Sequence, residues 1–119
     1  MKLVYVAGPY SHPDPIENTN IALNIADAMY AESDHELVPV IPHLTAFWHL
    51  VHPHEYAHWL EYDLKILSRC DALLRLPGES SGADGEVEFA EMNGIPVFHT
   101  VSSLMLWVRE GKLRRALPA

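Results

Sequence analysis

Apolar residues along the chain fall into two spacings. Unbroken runs occur at Leu3-Val4-Tyr5-Val6-Ala7, at Leu37 to Ile41, at Ala72-Leu73-Leu74 and at Ile95-Pro96-Val97-Phe98. They are too brief for helices and read as buried parallel strands, the first spanning Lys2 to Ala7. Pro39 inside the second run argues for an edge strand or a strand end. Between the runs the spacing turns helical. Ile21, Ala22, Ile25 and Met29 form one face of a helix that starts at Glu17 or Asn18 and ends near Ser33-Asp34-His35. Trp59, Leu60, Leu64 and Leu67 stripe a helix from Glu55 to Cys70, with Tyr56 and Asp63 on its flank. Ala83, Val87 and Ala90 mark another, which Asn93-Gly94 closes as a C-cap. A last helix is expected from Ser102 to Glu110, capped by Ser102 or Ser103 and ended by Gly111.

Strands and helices therefore alternate. Alternation of this kind implies a parallel sheet of four to five strands with helices on both faces and right-handed crossovers, an α/β three-layer sandwich of flavodoxin-like or Rossmann-like type. The least regular stretch is Pro42 to Pro53, PHLTAFWHLVHP. It is long for a loop, and such segments are functional or hide a short helix. The chain of 119 residues suits one domain, 1–119, with one core.

Charge and composition narrow the function. A net charge of −8 disfavours a nucleic-acid groove, and no apolar run approaches membrane-spanning length. The start of the chain is too soon interrupted by Gly8-Pro9 for a signal peptide. A single cysteine, Cys70, excludes an internal disulfide and fits a reducing, cytoplasmic setting. Arg109, Lys112, Arg114 and Arg115 cluster at the end of the chain, which reads as a solvated helix end, since cations near a helix C-terminus are favourable.

In an open α/β sheet, ligands bind beyond the carboxyl ends of the strands, where strand order reverses. That brings Gly8-Pro9-Tyr10-Ser11 next to Pro77 to Glu86. Gly8 allows close backbone approach. Ser80, Ser81, Gly82 and the first N–H groups of the following helix can hold an anion such as a phosphate. The loop is neither a P-loop nor a GxGxxG turn. Two carboxylates stand out, Glu86 just inside that helix and Asp63 on the preceding one. Together they suit nucleophile and acid/base roles on a glycosidic bond. The plain alternatives are dipole complementarity for Glu86 and a surface pair with Lys65 for Asp63. Glu88 and Glu91 are expected to face solvent. His43, His49, His52, His54 and His58 invite a metal hydrolase, but there is no HExxH and Cys70 stands alone, so neither metal nor cofactor is expected. His43 ends the second strand near the crevice and is a candidate for substrate contact. Tyr10, Phe47 and Trp48 are candidates to stack on a base, although core packing is the commoner fate of Trp.

VYVAGPYS at the start and WLEYDLKILSRCDALLRLPGESSGADGEVEFAEMNGIPVF later resemble the nucleoside 2-deoxyribosyltransferase superfamily. The likeness is to its small branch of uncharacterised proteins with AGPYS and PGxSxGAxxE signatures, and it covers the first strand and residues 56–98. The resemblance implies cleavage or transfer at the N-glycosidic bond of a nucleoside or nucleoside 5′-monophosphate. It implies Glu86 as nucleophile at the anomeric carbon and Asp63 as its assistant. Serine six residues before the glutamate, here Ser80, goes with the 5′-monophosphate hydrolases, whereas the transferases carry aspartate. No arginine follows Gly8 closely, so a phosphate would rest on serines and helix N–H groups. The family also implies a homodimer or homotetramer in which a neighbouring subunit completes the site. The alternative is a nucleotide-binding module of the same fold without turnover.

Overall fold

The computed structural model describes residues 1–117. In chain order the elements are β1 (Lys2–Ala7), α1 (Pro15–Glu32), β2 (Leu37–Val40), a 3-10 turn (Pro42–Leu44), α2 (Thr45–Val51), α3 (Tyr56–Leu67), β3 (Ala72–Arg75), α4 (Ser81–Met92), β4 (Val97–Phe98) and α5 (Val101–Ala116). The four strands form one sheet in the order β2-β1-β3-β4, and every pairing is parallel. β2 is an edge strand, so Pro39 withholds its missing N–H from no inner ladder.

Alternation along β1 sorts the core into two halves. Val4 and Val6 pack with Ala22 and Met29 of α1 and Leu104 of α5 on one face. Tyr5 and Ala7 pack with Leu67 at the end of α3 and with Ala83 and Ala90 of α4 on the other. All four β1 residues are fully buried, as expected of a central strand covered on both sides.

Sequence signals set most boundaries. α4 ends in paired hydrogen bonds, from Ile95 N–H to Ala90 O (2.9 Å) and from Gly94 N–H to Glu91 O (3.3 Å). Gly94 takes the left-handed φ of 72° that this cap requires. α1 begins earlier than its apolar spacing suggested, because Asp14 caps Ile16 N–H and Pro15 occupies the first turn. Its buried stripe is Asn18, Ala22, Ala26 and Met29, and Ile21 is turned outward at 45% exposure.

One further expectation is met and two need correcting. Pro42 to Pro53 hides short helical elements, the 3-10 turn and α2, which was one of its two expected readings. β4 is shorter than Ile95–Phe98, since Ile95 is used in the α4 cap. α5 starts from Thr100, whose hydroxyl accepts from Ser103 N–H at 3.1 Å, and it runs through Gly111 to Ala116. A helical glycine costs only about 1 kcal/mol against alanine, which does not stop a helix already packed through Leu104.

The sheet order puts β1 beside β3, and the order in which parallel strands are added switches sides there, so the loops that follow these two strands meet. Leu76 lies against Gly8, and a Cβ added to Gly8 would come within 3.0 Å of Leu76 Cβ. A Cβ on Gly78 would come within 2.9 Å of Pro9 Cγ, and Gly78 has φ +112°. Gly78→Ala should therefore destabilise the fold by about 2 kcal/mol through strain and the lost close approach, read as a lowered midpoint in denaturant titration.

Candidate active site

Tyr5 and Glu86 form the centre of the site. α4 buries Ala83, Glu86 and Ala90, so Glu86 occupies the apolar face of its helix, only 8% exposed. Dipole complementarity falls instead to Asp84 in the first turn. The Tyr5 hydroxyl, on a fully buried ring, donates a hydrogen bond to Glu86 Oε2. A phenol inside an otherwise apolar strand needs such a partner. Burial, then the charges of Glu86 and Asp63, push the phenol far above its ordinary value, which keeps it a donor.

Tyr5 also lines a cleft of about 250 Å³ at the carboxyl end of the sheet. The other walls include Ile41, Thr45, Trp48, Tyr62 and Asp63. Lys65 pairs with Glu61, so it does not engage Asp63. Asp63 Oδ1 is buried with no hydrogen-bond partner among the described residues. Burial raises Asp63 to about 6. Glu86 rises to about 7, again mainly through burial, with the Asp63 charge adding and the Tyr5 hydrogen bond and Arg75 opposing. Those values place the last proton on Glu86. The Tyr5 hydrogen bond already moderates the rise at Glu86, and no described residue donates to Asp63 Oδ1. A gap of one unit is only about 1.4 kcal/mol, so the proton can sit on either carboxyl. The pair therefore holds one proton between about pH 6 and 7, and the arrangement with the anion at Glu86 and the proton at Asp63 is one of its two accessible forms.

The loop residues lie on a different set of walls. Ser80 caps α4, its Oγ accepting from Ala83 N–H at 3.1 Å. Ser81 is exposed, and the Tyr56 hydroxyl would lie 3.4 Å from a Cβ at Gly82. Neither serine nor Gly82 lines the cleft, and Glu86 itself stands behind Tyr5 and not on its wall. Ser11 is exposed, and Tyr10 sits edge-on to His43 with centroids 5.9 Å apart. His43 is 5% exposed and its Nε2 is 3.0 Å from Pro9 O, so it ties the β1 loop to the 3-10 turn. That bond fixes the proton on Nε2 and leaves Nδ1 as a buried acceptor without a partner among the described residues. Burial lowers its pKa, so the ring is neutral.

Of the aromatic candidates, Trp48 lines the cleft and packs edge-on to Trp59 and Tyr62, whereas Phe47 is 75% exposed. His54 and His58 stack at 4.0 Å, and His49 Nδ1 accepts from Trp59 Nε1–H. Among the described residues no three His, Cys, Asp or Glu side chains converge as metal ligands. Glu88 and Glu91 face solvent as expected. Tyr5, Tyr62 and Arg75 carried no expected site role. Only the unexplained hydroxyl of Tyr5 in a buried strand offered a signal.

Residues 2–100 match the family described as Domain of unknown function (DUF7768). The chain belongs to this family. α5 lies beyond the matched residues. No curated protein matches the DUF7768 chain. Among solved structures, it is similar to the 2-desoxiribosyltransferase from Leishmania mexicana, at 22% identity and a TM-score of 0.60. The match covers 82% of the DUF7768 chain and 62% of that neighbour, so the domain spans under two thirds of its length. The shared fold is a parallel sheet between helical layers. No described helix of the domain is long and apolar enough to cross a membrane.

Proposed function

We propose that the protein cleaves or transfers at the N-glycosidic bond of a nucleoside or nucleoside 5′-monophosphate, with Glu86 as nucleophile. The observation that carries this reading is a glutamate on the buried face of a helix, held by a tyrosine hydroxyl that also borders a cleft containing a second, unpartnered carboxyl. A Glu86 oxygen attacks C1′ and the C1′–N bond breaks. Its electron pair leaves on the base, which takes the proton of Asp63. Water or a second base then attacks C1′, the ester oxygen returns to Glu86, and the proton of the incoming group returns to Asp63. Trp48 and Tyr62 offer faces for the base. Ser80, Ser81, Gly82 and the α4 N–H groups suit a 5′-phosphate, with Gly8, Tyr10 and Ser11 opposite and His43 shaping that loop. The neighbouring fold, named as a desoxiribosyltransferase, adds weight.

Reaction needs one proton on the carboxyl pair and one charge. The rate should peak between about pH 6 and 7 and fall on both sides. Tyr5→Phe removes a donor that favours the Glu86 carboxylate, so its acidic limb should move to higher pH, measurable in a rate profile.

Leu44, Phe47, Leu50 and Val51 on or beside α2 are exposed next to the cleft, and Leu44 lines it. They suit the family's homodimer or homotetramer, with a second copy closing the cleft mouth. Sedimentation of Phe47→Glu against the parent chain tests this, an unchanged mass contradicting it.

The burial of Glu86 behind Tyr5 also favours a second reading, a nucleotide-binding module without turnover. A panel of nucleosides and 5′-monophosphates separates the two, with free base measured by chromatography. Release from any member supports the enzyme. Binding to a member without release from any supports the module.

A further inference from the structure

Arg75 ends β3, its register partner being Ala7 on β1. Its side chain is only 10% exposed. The guanidinium donates to Leu76 O, to Gly78 O at 2.9 Å and to Asp84 Oδ1 at 3.0 Å. These three acceptors belong to the start of the β3–α4 loop, to its left-handed turn and to the first turn of α4. Leu76 and Gly78 lie past the end of β3, so their carbonyls need partners other than the sheet. A planar fork of donors is suited to serve several acceptors at once, which a lysine ammonium cannot do in the same geometry.

The charge of this side chain matters as well as its shape. Arg75 reaches α4 at Asp84, two residues before Glu86, so its charge lies beside the helix turn that carries the buried carboxyl, which also meets the Tyr5 hydroxyl from β1 and the charge of Asp63 from α3. Asp63 makes a negative Glu86 harder to hold, and Tyr5 contributes a neutral hydrogen bond. Arg75 is the cationic member of the set. The nearby Asp84 is 71% exposed, so solvent weakens its hold on that cation's field.

We propose that Arg75 is a positioning residue: its guanidinium braces the β3–α4 loop that carries Ser80 and leads into Ser81 at the start of α4, and its charge offsets the buried Glu86 carboxylate. This deepens the glycosidase reading and rests on it for the catalytic consequence. The two parts, brace and charge, can be separated. Arg75→Lys keeps the charge and loses the fork, whereas Arg75→Met loses both.

The test is a carbon-detected NMR titration of the Glu86 carboxyl together with amide hydrogen exchange across residues 76–83, on the full chain without ligand. Neither readout needs turnover, so a failed activity assay leaves this test intact. In Arg75→Met the Glu86 midpoint should rise by about one unit, a tenfold change in its ionisation constant. In Arg75→Lys the midpoint should stay within about 0.3 unit while exchange in the loop accelerates about tenfold. If Arg75→Met does not fold, Asp84→Asn carries the charge test. It removes the competing anion, so the Glu86 midpoint should fall slightly or stay, and a rise overturns the proposal. An unmoved Glu86 midpoint in a folded Arg75→Met, or unchanged loop exchange in Arg75→Lys, also overturns it.

Discussion

Glu86→Gln is expected to lower base release by about 10³-fold or more while ligand affinity stays within about threefold. The substitution is close to isosteric. Gln keeps a carbonyl oxygen for the Tyr5 hydroxyl, and it removes a charge that its 8% exposure makes costly to hold. The fold should therefore survive, and the loss of rate would report the missing nucleophile. A glutamine oxygen cannot form the ester with C1′ at a useful rate, so neither hydrolysis nor transfer proceeds. If activity survives within tenfold, Glu86 is no nucleophile and the role passes elsewhere in the cleft. Asp63→Asn gives the contrasting case. It should cost about 10²-fold, less for substrates whose base leaves without a proton, because only the acid is lost.

The same pair of carboxyls should make the fold less stable as pH rises, opposite to the trend of a salt-bridged acid. Glu86 has a folded value of about 7 against 4.5 for the free side chain. The folded state therefore binds more protons than the unfolded one between these values, and stability falls with rising pH across that window. Below about pH 4.5 the penalty is absent, and above about pH 7 it is complete at about 3 kcal/mol. Asp63, raised from 3.8 to about 6, acts in the same direction at slightly lower pH. Glu36 acts oppositely, lowered by its contact with the Met1 ammonium, but it is exposed and its share is small. Thermal unfolding at about pH 5 and about pH 8 should show the parent chain losing about 10 °C more than Glu86→Gln. At the higher pH the variant should be the more stable protein. Equal slopes for the two would mean that Glu86 is not held in a desolvated site.

Much of this architecture was legible from residue spacing because each strand is a short apolar run bounded by turn residues. The C-cap at Asn93-Gly94 and the edge position of β2 followed from single residues with strong backbone preferences. Helix boundaries were less legible. Thr100 competed with Ser102 and Ser103 as a cap, and Gly111 looked like a stop although α5 continues past it. α2 was obscured by flanking prolines and by histidines, although Leu44, Phe47, Trp48 and Val51 recur at helical spacing. Of the site, the prominence of Glu86 and Asp63 came through. The Tyr5–Glu86 bond did not, because it joins residues 81 positions apart and depends on β1 lying beneath α4. Arg75 was hidden for the same reason, since a charge at a strand end says nothing about which loop it will fold back upon. Ser80 shows the limit in the other direction. Its hydroxyl caps the helix whether or not it meets a phosphate, so its residue type alone does not separate the two.

The central claim is a covalent bond between Glu86 and the sugar. A 2-fluoro-substituted nucleotide slows both attack and release by destabilising positive charge at C1′, so an ester should accumulate on the protein. Acid quench, intact mass and peptide mapping of residues 81–92 read it directly. The expected result is a mass gain equal to the sugar phosphate, located on Glu86 and missing from Glu86→Gln. An adduct on another residue, or base release from the natural substrate with no adduct from the fluorinated one, would contradict the account.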